Sequence, residues 1–256
     1  GGGIKRLEAA GIEVTVSVLA DEARALNIGF FSRFERGRPF IRLKLAMSLD
    51  ARTAPSAGGR GWITGEAARA DVQVWRARSS AVLTGAGTVR VDDPRLDVRL
   101  DYGPWVRQPL RVVLDPDLTC PPTSNVFHDG HALIFTASDA PERDGIPERS
   151  GTSLRTERVP RAPRGLDLEA VVARLVLLEV NELLVECGPR LAAAFLEANL
   201  VDEFILYVAP HFLGMDAPPL AAIAGSENVH RLARFEFRDQ RLFDNDLRLV
   251  LTPKRA

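Results

Sequence analysis

Ile41, Leu43, Leu45 and Met47 alternate with Arg42, Lys44 and Ala46, the two-residue period of a strand with one apolar face. Ala81-Val82-Leu83-Thr84, Leu110–Leu114, Ala132–Phe135, Leu183-Leu184-Val185 and Phe204–Val208 are instead short, nearly unbroken apolar runs, as in strands covered on both sides. Helical spacing fills the gaps. Thr64 is the predicted N-cap of a helix with Glu66 in its first turn; Ala68, Val72 and Trp75 form its apolar stripe, with Arg69, Gln73 and Arg76 on the other side. Asp167 caps a helix running to about Glu179, and Pro189 suits the first position of another. Residues 138–166 read as loops around an edge strand near Ser153–Val159, and Phe235–Leu251 as a closing hairpin turned at Asp244-Asn245-Asp246. Strands alternating with helices predict an α/β fold: a mostly parallel central sheet, helices on both faces and a C-terminal antiparallel hairpin.

The first residues follow another pattern. Ile4, Leu7 and Ala10 share a helical face that Gly11 ends; Ile12, Val14, Val16 and Val18 alternate as a strand; and Asp21-Glu22 begin a helix running into Phe30 and Phe31. Gly37-Arg38-Pro39 reads as a linker. A helix and one strand cannot bury a core alone, so this piece needs a partner sheet.

Composition narrows the function. With 33 basic and 34 acidic side chains in 256 residues, no global field draws nucleic acid or an anionic membrane, and any anion site must be a local arginine cluster. No apolar run nears the ~20 residues of a membrane span, and no leader-like segment opens the chain, so a cytoplasmic protein is expected. Cys120 and Cys187 fit a reduced compartment. His128, His131, His211 and His230 are too scattered for a metal shell, and no metal is expected.

Polar groups crowd the strand ends. Lys44 in an apolar strand is costly unless paired, which gives it functional weight. Gly85-Ala86-Gly87-Thr88 follows a strand and lets backbone approach a phosphate, although Arg90 occupies the third glycine position of a dinucleotide fingerprint and such a motif alone is more often a plain turn. Glu186-Cys187-Gly188-Pro189-Arg190-Leu191 is a second strand-to-helix junction, where unpaired amides and the helix dipole suit a diphosphate. Glu186 can accept from a ring amide or a sugar hydroxyl, or simply be solvated. Asp92-Asp93-Pro94 is a turn device from which one carboxylate can face a pocket. Arg76 and Arg99 are candidates to converge on a phosphate. Trp62 can stack on a ring or pack in the core.

Together these stretches resemble the reductase domain of the bifunctional deaminase–reductase of bacterial riboflavin biosynthesis. The resemblance rests on Arg38–Asp50, Trp62-Ile63-Thr64-Gly65, Leu83–Val89 with Asp92–Leu96, Val185–Pro189 and Leu200–Glu203, covering residues 38 to about 215. It implies a dihydrofolate-reductase-like fold, a homodimer, and NADPH-dependent reduction of the ribosyl group of 5-amino-6-(5-phosphoribosylamino)uracil. By position, Ala46, Trp62, Thr88, Asp92 and the run Gly188, Pro189, Arg190, Leu191, Ala192, Ala193 and Ala194 match cofactor contacts. Arg60, Arg76, Leu96, Arg99 and Glu186 match substrate contacts, and Lys44 and Asp92 are the candidates beside the reacting carbon. Residues 1–37 resemble the tail of the upstream deaminase domain, and residues 38–256 the reductase.

Three positions depart from the family pattern: Arg60 and Arg190 stand where small hydroxyl residues are usual, and Ala51 replaces a glycine. The zinc deaminase pattern of His-x-Glu with Pro-Cys-x-x-Cys is absent, so this chain is not expected to deaminate. Two alternatives stand beside this reading. One is a reductase of another pyrimidine- or pteridine-like substrate; the other is a non-catalytic nucleotide-binding partner of a separate deaminase.

Overall fold

Burying the short apolar runs on both faces requires one sheet between two helical layers. The computed structural model shows this arrangement and describes residues 2–54, 61–100, 103, 106–141 and 155–254. Three helices, α1 (Gly2–Ala9), α2 (Ala20–Leu26) and α3 (Ile28–Arg36), precede β1 (Phe40–Ser48). Then come α4 (Glu66–Arg78), β2 (Ala81–Gly85), α5 (Ala86–Asp92), β3 (Leu110–Leu114), β4 (Ala132–Ala137) and β5 (Arg155–Val159). A small antiparallel pair follows, β6 (Arg161–Ala162) and β7 (Gly165–Leu166), and after it α6 (Leu168–Leu177), β8 (Glu182–Glu186) and α7 (Pro189–Glu197). The chain closes with β9 (Glu203–Ala209), α8 (Ser226–Val229), β10 (Phe235–Phe243) and β11 (Asp246–Pro253).

The main sheet has nine strands in the order β10-β11-β9-β1-β8-β2-β3-β4-β5. From β9 to β5 all neighbours are parallel; β11 is antiparallel to β9, and β10 to β11. Strand order reverses around β8, which enters late between β1 and β2. The crevice beyond the carboxyl ends of such strands is where α/β sheets bind ligands. One core layer holds Leu43, Leu45, Leu83, Val185 and Phe195, with α6 and α7. The opposite layer holds Val72, Trp75, Val82, Leu184 and Tyr207, with α4 and α5.

Most predicted elements form, and the exceptions have physical causes. Residues 12–18 are not a strand. Ile12, Val16 and Val18 are exposed because no described strand lies beside them to pair with their backbone. The helix predicted from Asp21 splits at Asn27, whose N–H closes α2 on Ala23 and Arg24 carbonyls. α1 and α2 bury no side chain. α3 is fastened to the body: Arg36 and Arg38 both bond Asp202, and Ser32 donates to the Arg38 carbonyl. The cap of α4 is Gly65 rather than Thr64, and its N–H bonds Asp246 Oδ2 at 2.6 Å, so the β10–β11 turn supplies the capping carboxylate. Gln73 and Arg76, opposite the apolar stripe of α4, are also buried.

Candidate active site at the carboxyl ends of the central strands

Register decides which polar side chains meet. In the parallel β1–β8 pair Lys44 lies opposite Glu186, so both project from the face covered by α4. Thr84 is one residue beyond the Leu83–Val185 pair of β2 and β8, and its fully buried hydroxyl has no hydrogen-bond partner. Arg76, in the last turn of α4, clamps Glu186 with two parallel bonds, Nε to Oε1 at 2.5 Å and Nη2 to Oε2 at 2.9 Å. Its Nη1 donates to the Asp97 carbonyl at 3.2 Å, and Gln73 Oε1 accepts the Arg99 N–H at 2.9 Å. The side of α4 opposite its predicted apolar stripe thus binds the segment 96–99. Leu96 there has φ +54° and is buried.

The charges are strongly coupled. Burial pushes the Glu186 carboxyl up, but Arg76, Lys44 and Arg99 outweigh it and hold it below the usual carboxylate range. Burial lowers the Lys44 ammonium; Glu186 opposes that, while Arg76 adds to it. Burial, with the Glu186 charge, raises the Cys187 thiol, which stays protonated at neutral pH. A lysine depressed from its usual pKa, beside a carboxylate that retains its charge, is a group that can donate a proton or a hydrogen bond to a bound ligand.

The two glycine junctions adjoin each other. Gly85 is the N-cap of α5, and a Cβ there would lie 3.3 Å from Leu191 Cδ2. Gly188 is the N-cap of α7, with Pro189 in its first turn, and a Cβ there would lie 3.8 Å from Thr88 Oγ1. The start of α7 therefore presents unpaired amides beside the Thr88 hydroxyl. Beyond β1 the Asp50 carboxylate accepts from Ser48 Oγ, from Leu213 N–H at 3.1 Å and from Gly214 N–H at 2.8 Å, and these bonds hold its pKa at about 2. This ties down the segment after β9, which reaches α7 through Ala222 N–H to the Pro189 carbonyl.

Not every sequence-predicted residue joins the cluster in the same way. Arg76 commits its fork to Glu186, so Arg99, half-exposed with Nη1 3.5 Å from Asp97, is the more open of the two arginines. Ala46 packs on the α4 side of β1. Trp62 is 76% exposed with the Arg69 guanidinium 4.8 Å from its ring centre, so it is not a core side chain. Asp92 ends α5 and is exposed, while Asp93 binds Asn125. At the start of α7 Arg190 is exposed, Ala192 and Ala193 are buried and Ala194 is partly buried, so the two buried alanines offer a ligand only backbone. Arg60 lies outside the described residues. Among the described residues no cluster of His, Cys, Asp and Glu is suited to a metal, and no helix is long and apolar enough to cross a membrane. Sequence reading gives no site role to Asp97, Gln73, Asp71 or Tyr207. A polar residue on a helix and an aromatic on an apolar strand carry no signal of their partners.

Known proteins share this architecture. Residues 39–249 match the family described as RibD C-terminal domain. The riboflavin biosynthesis protein RibD of Escherichia coli is 39% identical over 261 residues, a match covering 98% of this chain and 70% of that protein. Its namesake in Haemophilus influenzae is 37% identical over 264 residues, covering 99% and 69%. The structure of Acinetobacter baumannii RibD superposes with a TM-score of 0.86 at 37% identity, covering all of this chain and 69% of that one. A Thermotoga maritima structure described as a diaminohydroxyphosphoribosylaminopyrimidine deaminase/5-amino-6-(5-phosphoribosylamino)uracil reductase gives 0.80 at 26% identity, covering 99% and 68%. With its strand order, its paired glycine junctions and these relatives, the chain belongs to the RibD C-terminal domain family, the reductase domain of the riboflavin-biosynthesis protein RibD.

Proposed function

We propose that this reductase takes hydride from NADPH and delivers it to C1′ of the ring-opened ribosyl group of 5-amino-6-(5-phosphoribosylamino)uracil, giving the ribitylamino product. One observation carries the reading: the amide-rich start of α7 beside Thr88 adjoins the partly buried Lys44–Glu186–Arg76 cluster across the ends of adjacent strands. Both halves of a hydride transfer, a diphosphate site and a polar pocket for the acceptor, then share one crevice.

The residues fit a nicotinamide dinucleotide. Gly188 leaves its amide open where a larger side chain would crowd Thr88, and the partnerless Thr84 hydroxyl is a buried polar group suited to a ligand. Backbone of Gly188, Pro189, Arg190, Leu191, Ala192, Ala193 and Ala194, with Thr88, holds the diphosphate; Ala46, Trp62 and Asp92 border the rest of the cofactor. When bound, the cofactor supplies the hydride. Glu186 keeps free lone pairs after binding Arg76 and accepts from the uracil edge. Arg99, with Arg60, takes the ribose phosphate, and Arg76 and Leu96 fix the wall that Glu186 and Arg99 project from. Lys44 donates to the sugar oxygen, and Asp92 lies near the positive charge that develops at the acceptor.

Residues 1–37 are read as the end of a deaminase domain, with no deamination by residues 38–256, and the working unit as a homodimer. The test is loss of reduced-nicotinamide absorbance with the aminouracil ribotide, NADPH and NADH compared. Lys44→Ala is expected to lower kcat by at least about a hundredfold, in line with loss of a general acid, with little change in melting temperature. Unchanged turnover removes Lys44 from the reaction, and NADPH binding without oxidation in the wild type favours the non-catalytic nucleotide-binding module.

A further inference from the structure

Tyr207 lies fully buried on β9, where its neighbour across the β1 register is Ala46, one step along the same face from Lys44. Its ring faces the ammonium: Lys44 Nζ is 5.7 Å from the ring centre, within cation–π range. Its hydroxyl is braced at 2.5 Å by the Asp71 carboxylate on α4. The same carboxylate oxygen accepts from Arg248 Nη1 at 2.8 Å and Trp75 Nε1 at 3.3 Å, and Arg248 is held in turn by Asp239. The C-terminal hairpin, α4 and β9 thus lock one aromatic ring in place. The other groups facing Lys44 are Glu186 and Cys187 from β8 and its junction, and Arg76 from α4. Arg42, on its own strand, is already held by Glu182 and Glu203.

We propose that Tyr207, braced by Asp71, is a positioning residue that holds the Lys44 ammonium in place and in its charged form. This rests on the role given to Lys44 above. The ring face favours the cation, burial and Arg76 oppose it, and the Asp71 bond keeps the ring from rotating away. The phenol is itself raised by burial and by Asp71, so it stays a neutral donor throughout the relevant range.

The chain has only three lysines, Lys5, Lys44 and Lys254, so side-chain NMR of lysine-labelled protein resolves Lys44 without any assay of turnover. Lys44 is expected to titrate below the ordinary lysine value. In Tyr207→Leu its titration moves down by up to about one further pH unit, and the alkaline limb of kcat moves with it while KM holds. Tyr207→Phe keeps the ring but releases it from Asp71; a smaller shift in the same direction and a few-fold loss of kcat are expected. A wild-type Lys44 titration in Tyr207→Leu, or in Tyr207→Phe should the leucine variant not fold, overturns the proposal. If Lys44 titration shifts as expected but Lys44→Ala is fully active, the assigned mechanism fails while the Tyr207–Lys44 coupling survives.

Discussion

Replacing Glu186 by glutamine isolates the charge at the centre of the site. The two volumes match, and the amide oxygen still accepts one Arg76 bond, so packing is preserved. Arg76 and Glu186 side chains are only 10% and 12% exposed, however, and Lys44 lies beside them, so the variant deprives Lys44 of its carboxylate neighbour and leaves Arg76 only the Asp97 charge. Removing one partner of a buried pair costs roughly 3–5 kcal/mol. The retained acceptor and the Asp97 carbonyl on Arg76 place Glu186→Gln at the lower end, about 3 kcal/mol. At ~2–4 °C per kcal/mol for a domain of this size, the melting temperature falls by roughly 6–12 °C. The pH dependence gives a second check. Glu186 is held below its unfolded pKa, so its contribution is complete above about pH 4.3 and is lost as pH falls through the folded value. Calorimetry across pH should therefore find the gap between wild type and variant widest near neutrality and closing in acid. Equal melting temperatures at neutral pH, or a gap that persists in acid, refute the assignment of a charged Glu186 to this cluster.

Three further outcomes are expected. Gly188→Ala has an allowed φ of −79° and places its methyl 3.8 Å from Thr88 Oγ1, so stability should hold while the KM for NADPH rises by about tenfold; an unchanged KM takes this turn out of the cofactor site. Asp50→Ala should abolish amide protection at Leu213 and Gly214, whereas the wild type keeps it until pH falls to about 2, because a depressed carboxyl loses its contribution only on protonation; equal exchange rates in the two proteins would rule out the clamp. Limited proteolysis should cut first within residues 11–19, where Val16, Val18 and Leu19 are exposed beside helices with no buried side chain, and not at Gly37, since Arg36 and Arg38 anchor the chain to Asp202; a first cut at Gly37 would count against that anchoring.

The strands were legible because their apolar runs need no partner to be recognised. Leu183-Leu184-Val185 is a short apolar run closed by Gly188-Pro189, a length and flank that fit a buried strand, and the same Gly-Pro marks a helix start. Where local spacing misled, a distant residue had intervened. Thr64 looked like a cap, but Asp246, far along the chain, bonds the amide of Gly65 instead. Arg76 suggested a phosphate ligand, but segment 96–99 folds over it and Glu186 takes its fork. Residues 12–18 alternate as a strand should, yet the pattern specifies only a face and supplies no neighbour with which to pair.

By itself the sequence determined most of the element types, the α/β class, the glycine junctions and the chemical kinds gathered at the strand ends, all set by local sterics and periodicity. Only the tertiary structure decided that β8 inserts between β1 and β2, putting Lys44 opposite Glu186, and that Tyr207 and Asp71 meet across separate layers. Periodicity fixes a side chain's face to within one strand or one helix; which other faces it meets follows from strand order and register, and those emerge when the whole core is buried at once.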